Sequence, residues 1–449
     1  MKKIAFILAV LLISSTLMLS GCANRANILK VYNWQDYIDE DILDGFEDYY
    51  LETYGEKIQL QYTTFETNES MYTKIKRSKM DFDLVIPSEY MAEKMSNAGL
   101  LQTIDYSNIP NFYSSLKYSK DGETRLDPTL KELYDDKSEY FLPYMWGTIG
   151  ILYNKDLLRE QDISLLIDDE ALMSWQDISG IELDVESAEG LWILDENGEN
   201  IVTNWSAMWS KNYGNYKIYM KNSIRDSFAA AAIYANSEEL SQYIGKDNHG
   251  EMVDLFMNDA SDENLRKVEA ALKDQRDYIK GYEVDNGKDE MVQGSIAMLL
   301  AWSGDAVWCM WENESLGYYV PKEGSNIWAD GFVIPKYAKN KLAAERFINY
   351  LFLQNVEDPW GEESDYGDHG FILMDTIGYT SSLIDVQQRY YDVFLEDYLY
   401  TDTGLMPNAL NILDTLFPSE EVKARCAVMK DFGDRQKDVL NMWSRVLID

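Results

Sequence analysis

The chain predicts an α/β protein, and three observations carry that expectation. Residues Ile28 to Gly99 alternate β-rich with helix-periodic segments. The 449 residues exceed one ordinary compact domain and suit two or three. No run beyond Cys22 is long and apolar enough to cross a bilayer, so the apolar 46 % of the chain must be spent on buried cores.

Taken in order, Ile28 to Trp34 reads as a strand, and Asp41 to Thr53 as a helix, with Ile42, Phe46 and Tyr49 at helical spacing and a stop at Gly55. Ile58 to Phe65 is again β-rich, Met71 to Lys79 helical, Phe82 to Pro87 a strand, and Met91 to Ala98 a helix ending at Gly99. This βαβαβα order predicts a mainly parallel sheet with helices on its faces. Ligands of such sheets bind outside the carboxyl ends of the strands, which puts Trp34 to Tyr37 and Ser88 to Tyr90 where a ligand cleft belongs.

Ahead of these elements stands a different kind of segment. Lys2 and Lys3 precede the uncharged apolar run Ile4 to Leu19, which is shorter than a spanning helix, and the run closes on Leu19-Ser20-Gly21-Cys22. The pattern predicts a lipoprotein signal over residues 1–21, cleavage before Cys22, lipid on that residue, and a tether over 22–28. Lipid chains on Cys22 would be the only hold on the membrane, with the rest of the chain soluble and outside the cytoplasm.

The chain has 78 acidic against 40 basic residues and a net charge of −38, spread along its length. Nucleic acid is thereby excluded as a partner, because a phosphate backbone needs clustered Lys and Arg. Tyr, Trp and Phe make up 13 % of the chain, and carboxylates beside π-faces suit organic cations or sugars. Cys309 and Cys426 read as buried free thiols. His249 and His369 are the only histidines, there is no H-E-x-x-H or C-x-x-C, and Asp195 to Asn200 lack the spacing and closing Glu of a calcium loop; no metal is expected. Without a P-loop, G-x-G-x-x-G or G-x-S-x-G, neither a cofactor nor a catalytic residue is expected either.

An ordered set of strings is more specific: YNWQDYI (Tyr32 to Ile38), DFDLVIPSEY (Asp81 to Tyr90), LPYMWGTIGILYN (Leu142 to Asn154), NSIRDSF (Asn222 to Phe228), AWSGDAV (Ala301 to Val307), VPKEGSNIWADGFVIPKYAKN (Val320 to Asn340) and TIGY (Thr376 to Tyr379). Together they resemble the substrate-binding proteins of bacterial spermidine/putrescine ABC transporters. The resemblance implies a type II periplasmic-binding fold, two discontinuous α/β lobes closing over a ligand cleft, with crossovers near Tyr144, Asp330 and Ile384. One lobe would comprise 29–143 plus about 331–384 and the other 144–330 plus about 385–449, with an insertion at about 161–203. It further implies a monomeric, non-enzymatic protein that captures spermidine or putrescine outside the cytoplasm and hands it to an ABC-type permease.

The same resemblance assigns Trp34, Tyr37, Tyr90, Trp302, Trp328 and Tyr379 as aromatic walls, Asp226, Asp305 and Asp330 as the anions, Ser88 as a hydroxyl acceptor and Asp36 as a contact to a terminal amine. These types fit a methylene chain carrying ammonium groups, since rings offer apolar area with cation–π attraction and carboxylates accept charge-assisted hydrogen bonds. Arg225 would orient a carboxylate, and Met429 stands where relatives can place a Gln toward the ligand. Tryptophans beside carboxylates also suit an oligosaccharide-binding lipoprotein or a glycoside hydrolase. A binder of another organic cation, such as a quaternary amine or a basic amino acid, is a further alternative.

Overall fold

The computed structural model describes residues 25–113, 126–130, 138–159, 204–209 and 218–448, except 278, 285, 356–366, 402, 403 and 407. The signal segment, Cys22 and the insertion at about 161–203 lie outside the described residues.

The first elements are β1 (Ile28–Trp34), α1 (Glu40–Tyr54), β2 (Gln59–Phe65), α2 (Asn68–Ser78), β3 (Leu84–Val85) and α3 (Glu89–Asn97). Helix α1 forms where the pattern placed it because both ends are satisfied locally. The Asp39 carboxylate accepts from the Ile42 amide at 3.0 Å, Glu40 and Asp41 complement the positive end of the helix, and Gly55, at φ 68°, takes the left-handed cap. Its buried residues, Ile42, Phe46, Tyr49 and Tyr50, recur at helical spacing. Phe46 packs edge-on against Phe347 with centroids 4.8 Å apart, each ring fully buried. Burying a side chain of this size contributes about 1.5–3 kcal/mol.

Strands β1, β2 and β3 form a parallel sheet in the order β2-β1-β3. Two boundaries differ from the sequence expectation. Helix α2 starts at Asn68 instead of Met71, because the Thr67 hydroxyl accepts from the Ser70 amide at 3.2 Å and opens the helix a turn earlier. The expected strand Phe82 to Pro87 shrinks to two residues. On one side, the buried Asp83 carboxylate accepts from the backbone amides of Lys30, Lys339 and Asn340. On the other, Pro87 has no N–H to donate, and its carbonyl accepts from Gly331 at 3.0 Å.

The chain continues through β4 (Leu101–Gln102), β5 (Leu142–Asn154), β6 (Ile218–Lys221), α4 (Ile224–Ala235), β7 (Gly281–Glu283), α5 (Asn286–Val292), β8 (Met298–Trp302), α6 (Ser303–Glu312), β9 (Leu316–Tyr319), β10 (Ser325–Phe332), β11 (Ile334–Pro335) and β12 (Thr380–Ser381). The second sheet has eight strands, running from the edge strand Cys426–Ala427 through β10, β5, β8 and β6 to β7, with β9 and β12 also on β5. Here parallel pairing is not the rule. Strand β5, buried at all thirteen positions, pairs antiparallel with β8, β9, β10 and β12, and only β6 with β7 and β8, and β10 with the edge strand, run parallel.

Strand β10 joins the two sheets. Its pairing with β5 slips at a register shift between Asp330 and Gly331 and resumes at Gly331 and Phe332, and bridges pair Ser88 with Asp330 and Val85 with Val333. Beyond them β11 pairs with β4. The cleft between the two α/β bodies opens beside this junction. Among the described residues no helix is long and apolar enough to cross a membrane, and Cys309 and Cys426 are free and buried.

Candidate functional site

The carboxyl ends of β1 and β3, the turns after β6 and β8, and the β10 register shift converge on one cleft of about 860 Å³, counting the part open to solvent. All eleven non-lipidated residues singled out from the sequence line it: Trp34, Asp36, Tyr37, Ser88, Tyr90, Asp226, Trp302, Asp305, Trp328, Asp330 and Tyr379. Met429 lines it too, where a Gln was weighed, and offers a thioether in place of an amide.

Two of the acids arise from the same local device, a strand ending directly before a helix. Asp226 lies in the first turn of α4, capped by Ser223, and Asp305 in the first turn of α6, which follows Trp302 without a loop. The positive end of each helix favours a carboxylate there. Asp330 sits at the β10 register shift, within the bridge to Ser88.

The walls are mutually braced rings. Tyr37 packs edge-on against Tyr144 and Tyr379, with centroids 5.5 and 5.0 Å apart. Trp328 meets Tyr379 at 5.5 Å, and Trp34 lies 4.5 Å from Phe65. Burial raises the phenols of Tyr37, Tyr90 and Tyr379 well above their ordinary value, so they stay neutral.

The electrostatics divide the cleft into two unlike ends. At one, Asp226 and Asp330 are buried and have no ion-pair partner among the described residues. Burial pushes Asp330 up to about 7, against the pull of the Ser88 and Tyr37 hydroxyls, and the charge of Asp226 adds to the rise. Asp226 is pushed up to about 6, again chiefly by burial. At the other end, Asp305 accepts from the Tyr379 hydroxyl at 3.1 Å and from Lys288 at 3.4 Å, and Lys221 stands 3.6 Å away. The Lys221 ammonium also covers the Trp302 ring at 4.2 Å.

The sequence reading did not single out Asn68 and Glu89, which line the cleft, or Lys221 and Lys288, which stand beside Asp305. Lys221 and Lys288 are ordinary lysines in the sequence; only the folded β6 end and α5 bring them to Asp305. Asn68 donates to Ser88 at 3.0 Å and to the Tyr90 hydroxyl at 3.1 Å, fixing both from the first turn of α2. Glu89 holds the Ala329 amide at 3.0 Å, next to Asp330. Asp36 is exposed, at φ 50°, and lies 3.7 Å from Lys288. Arg225 is buried in the cleft wall, stacks on Phe432 at 3.8 Å and donates to Asn258 at 3.1 Å, and it forms no ion pair with Asp226.

Residues 46–367 match the family described as bacterial extracellular solute-binding protein. The chain is 27 % identical over 346 residues to the spermidine/putrescine-binding periplasmic protein of Salmonella typhimurium, covering 77 % of this chain and 78 % of that one. It is also 27 % identical over 347 residues to the putrescine-binding periplasmic protein PotF of Escherichia coli, covering 74 % and 75 %. Among solved structures, a putative spermidine/putrescine ABC transporter protein of Listeria monocytogenes superposes with a TM-score of 0.64 at 24 % identity, over 94 % of this chain and 99 % of the other. The PotD substrate-binding protein of Streptococcus pneumoniae gives 0.59 at 24 % identity, over the same shares. The fold is therefore the two-lobed α/β architecture of periplasmic-binding proteins.

Proposed function

The chain belongs to the bacterial extracellular solute-binding protein family, and from that premise we propose that it captures a polyamine, spermidine or putrescine, and delivers it to an ABC-type permease. The observation that carries this reading is the pair Asp226 and Asp330: two buried carboxylates with no ion-pair partner among the described residues, in a cleft lined by Trp34, Tyr37, Tyr90, Trp328 and Tyr379. Such carboxylates are costly unless a cation enters. A ligand bearing ammonium groups on a methylene chain supplies the charge and covers the rings. The names of the relatives support the same class.

In this reading the eleven cleft residues contact the ligand, the lobes comprise 29–143 plus about 331–384 and 144–330 plus about 385–449, and closure completes the anionic cage. Strand β11 pairing with β4, and Cys426–Ala427 joining the larger sheet, support that division. The protein works as a monomer outside the cytoplasm, held by lipid on Cys22. Anchoring raises its concentration near the permease without a new contact. A Cys22→Ala variant is then expected to lose labelled lipid and membrane association while still binding ligand; retention of labelled lipid would refute the anchor.

Calorimetry of the signal-free protein against putrescine, spermidine, a maltose-like oligosaccharide, a quaternary amine and a basic amino acid tests the ligand class. Putrescine or spermidine is expected to bind and to shift tryptophan emission. Binding of the oligosaccharide with no response to either polyamine would move the assignment to a sugar binder.

A further inference from the structure

We infer that Lys221 and Lys288 act as built-in ammonium groups at the Trp302–Asp305 end of the cleft, so that the chain prefers a short diamine to a longer triamine; this rests on the polyamine reading above. Lys221 is the last residue of β6, its side chain 1 % exposed. Its ammonium donates to the Val284 carbonyl at 2.5 Å, lies 3.4 Å from Glu283 and 3.6 Å from Asp305, and rests on the Trp302 ring. Of these partners, Val284, Trp302 and Asp305 line the cleft, where a ligand ammonium would otherwise meet them. Lys288, from α5, adds a second positive charge at 3.4 Å from Asp305 and 3.7 Å from Asp36.

Neither lysine is free to withdraw at little cost. If Lys221 left, Glu283 would stay buried without this cation and Asp305 would keep only Lys288, and truncating one partner of a buried pair is unfavourable. Glu283 is itself fixed, accepting from the Gly287 amide at 2.8 Å. A ligand nitrogen reaching this end would therefore meet two resident ammoniums of its own sign and a carboxylate already engaged by Tyr379. At the opposite end Asp226 and Asp330 stand without a cation among the described residues. Among the buried aspartates of the cleft, two thus lack an ion-pair partner and suit two ligand ammoniums, and a third amine extending toward Trp302 meets an aspartate that two lysines already approach.

The experiment compares calorimetric affinities for putrescine and spermidine in the parent mature protein, in Lys221→Met, whose chain still covers Trp302, and in Lys288→Gln. The parent is expected to favour putrescine, and each variant to raise the spermidine-to-putrescine affinity ratio by roughly tenfold or more by freeing Asp305. A parent that favours spermidine, or a ratio that neither variant moves, overturns this inference while leaving the polyamine reading intact. A parent that binds neither amine overturns both. Should Lys221→Met fail to fold by circular dichroism, Lys288→Gln decides alone, its position being on a short helix with a side chain 14 % exposed.

Discussion

At the scale of single residues, the decisive feature is the protonation of Asp226 and Asp330. Burial raises both, to about 6 and about 7, from an ordinary value of 3.8. A carboxyl raised in the folded state holds a proton that the unfolded chain gives up. Its stabilising contribution is thus fully present below about pH 4 and is lost as pH rises through the folded values of about 6 and 7. A bound ammonium reverses the preference by favouring the charged carboxylates. Affinity for a polyamine is therefore expected to rise with pH across that window and to be accompanied by proton release, read by calorimetry in buffers of different ionisation enthalpy. Asp330→Asn should weaken binding by about 2–5 kcal/mol and remove the upper part of the pH dependence. A pH-independent affinity between 5 and 8, on the order of the window those shifts define, would show that these acids do not face the ligand's charge.

At the scale of elements, the site depends on how closely the strand-to-helix turn at Trp302 approaches the ring beyond it. A Cβ on Gly304 would lie 2.3–2.4 Å from the ring atoms of Tyr379, inside any tolerable contact. Glycine here is a packing requirement: it lets α6 press against Tyr379, whose hydroxyl in turn reaches Asp305. Gly304→Ala should destabilise the ligand-free protein by about 1–3 kcal/mol through overpacking, and weaken ligand binding because the displaced ring also braces Tyr37 and Trp328. Thermal melts with and without putrescine would check both halves; an unshifted melting temperature would mean that the ring moves aside freely. The strings that flagged this turn, Ala301 to Val307 and Thr376 to Tyr379, are far apart in sequence, and only the fold places one against the other.

At the scale of the whole molecule, ion pairs join segments that the proposed division assigns to different lobes. Lys94 on α3 meets Asp431 of the C-terminal segment at 2.6 Å, both partly buried, and Lys288 reaches Asp36 at 3.7 Å. Such pairs would favour the closed arrangement; Lys288 also reaches the buried Asp305, whereas Lys94 pairs with none of the buried cleft aspartates among the described residues. Lys94→Met is expected to speed ligand dissociation two- to fivefold, about 0.5–1 kcal/mol for a part-exposed pair, and to reduce the salt dependence of that rate. Stopped-flow tryptophan fluorescence would measure it, and a rate equal to the parent's at low salt would remove this pair from closure.

What the sequence by itself determined was whatever local pattern and ordered motif encode. The alternation from Ile28 to Gly99 specified the first sheet, because burial on one face imposes its period on the chain. The motif strings, through the family they resemble, picked out eleven residues that all prove to line the cleft. Only the tertiary structure decided the antiparallel pairing around β5 and the short reach of β3, because these depend on Asp83, Pro87 and distant backbone competing for the same hydrogen bonds. It also decided the charge state of the cleft. A lysine has no sequence signal for the carboxylate it will meet, so that Lys221 and Lys288 stand beside Asp305 while Asp226 and Asp330 have no ion-pair partner among the described residues follows solely from which groups the fold buries together.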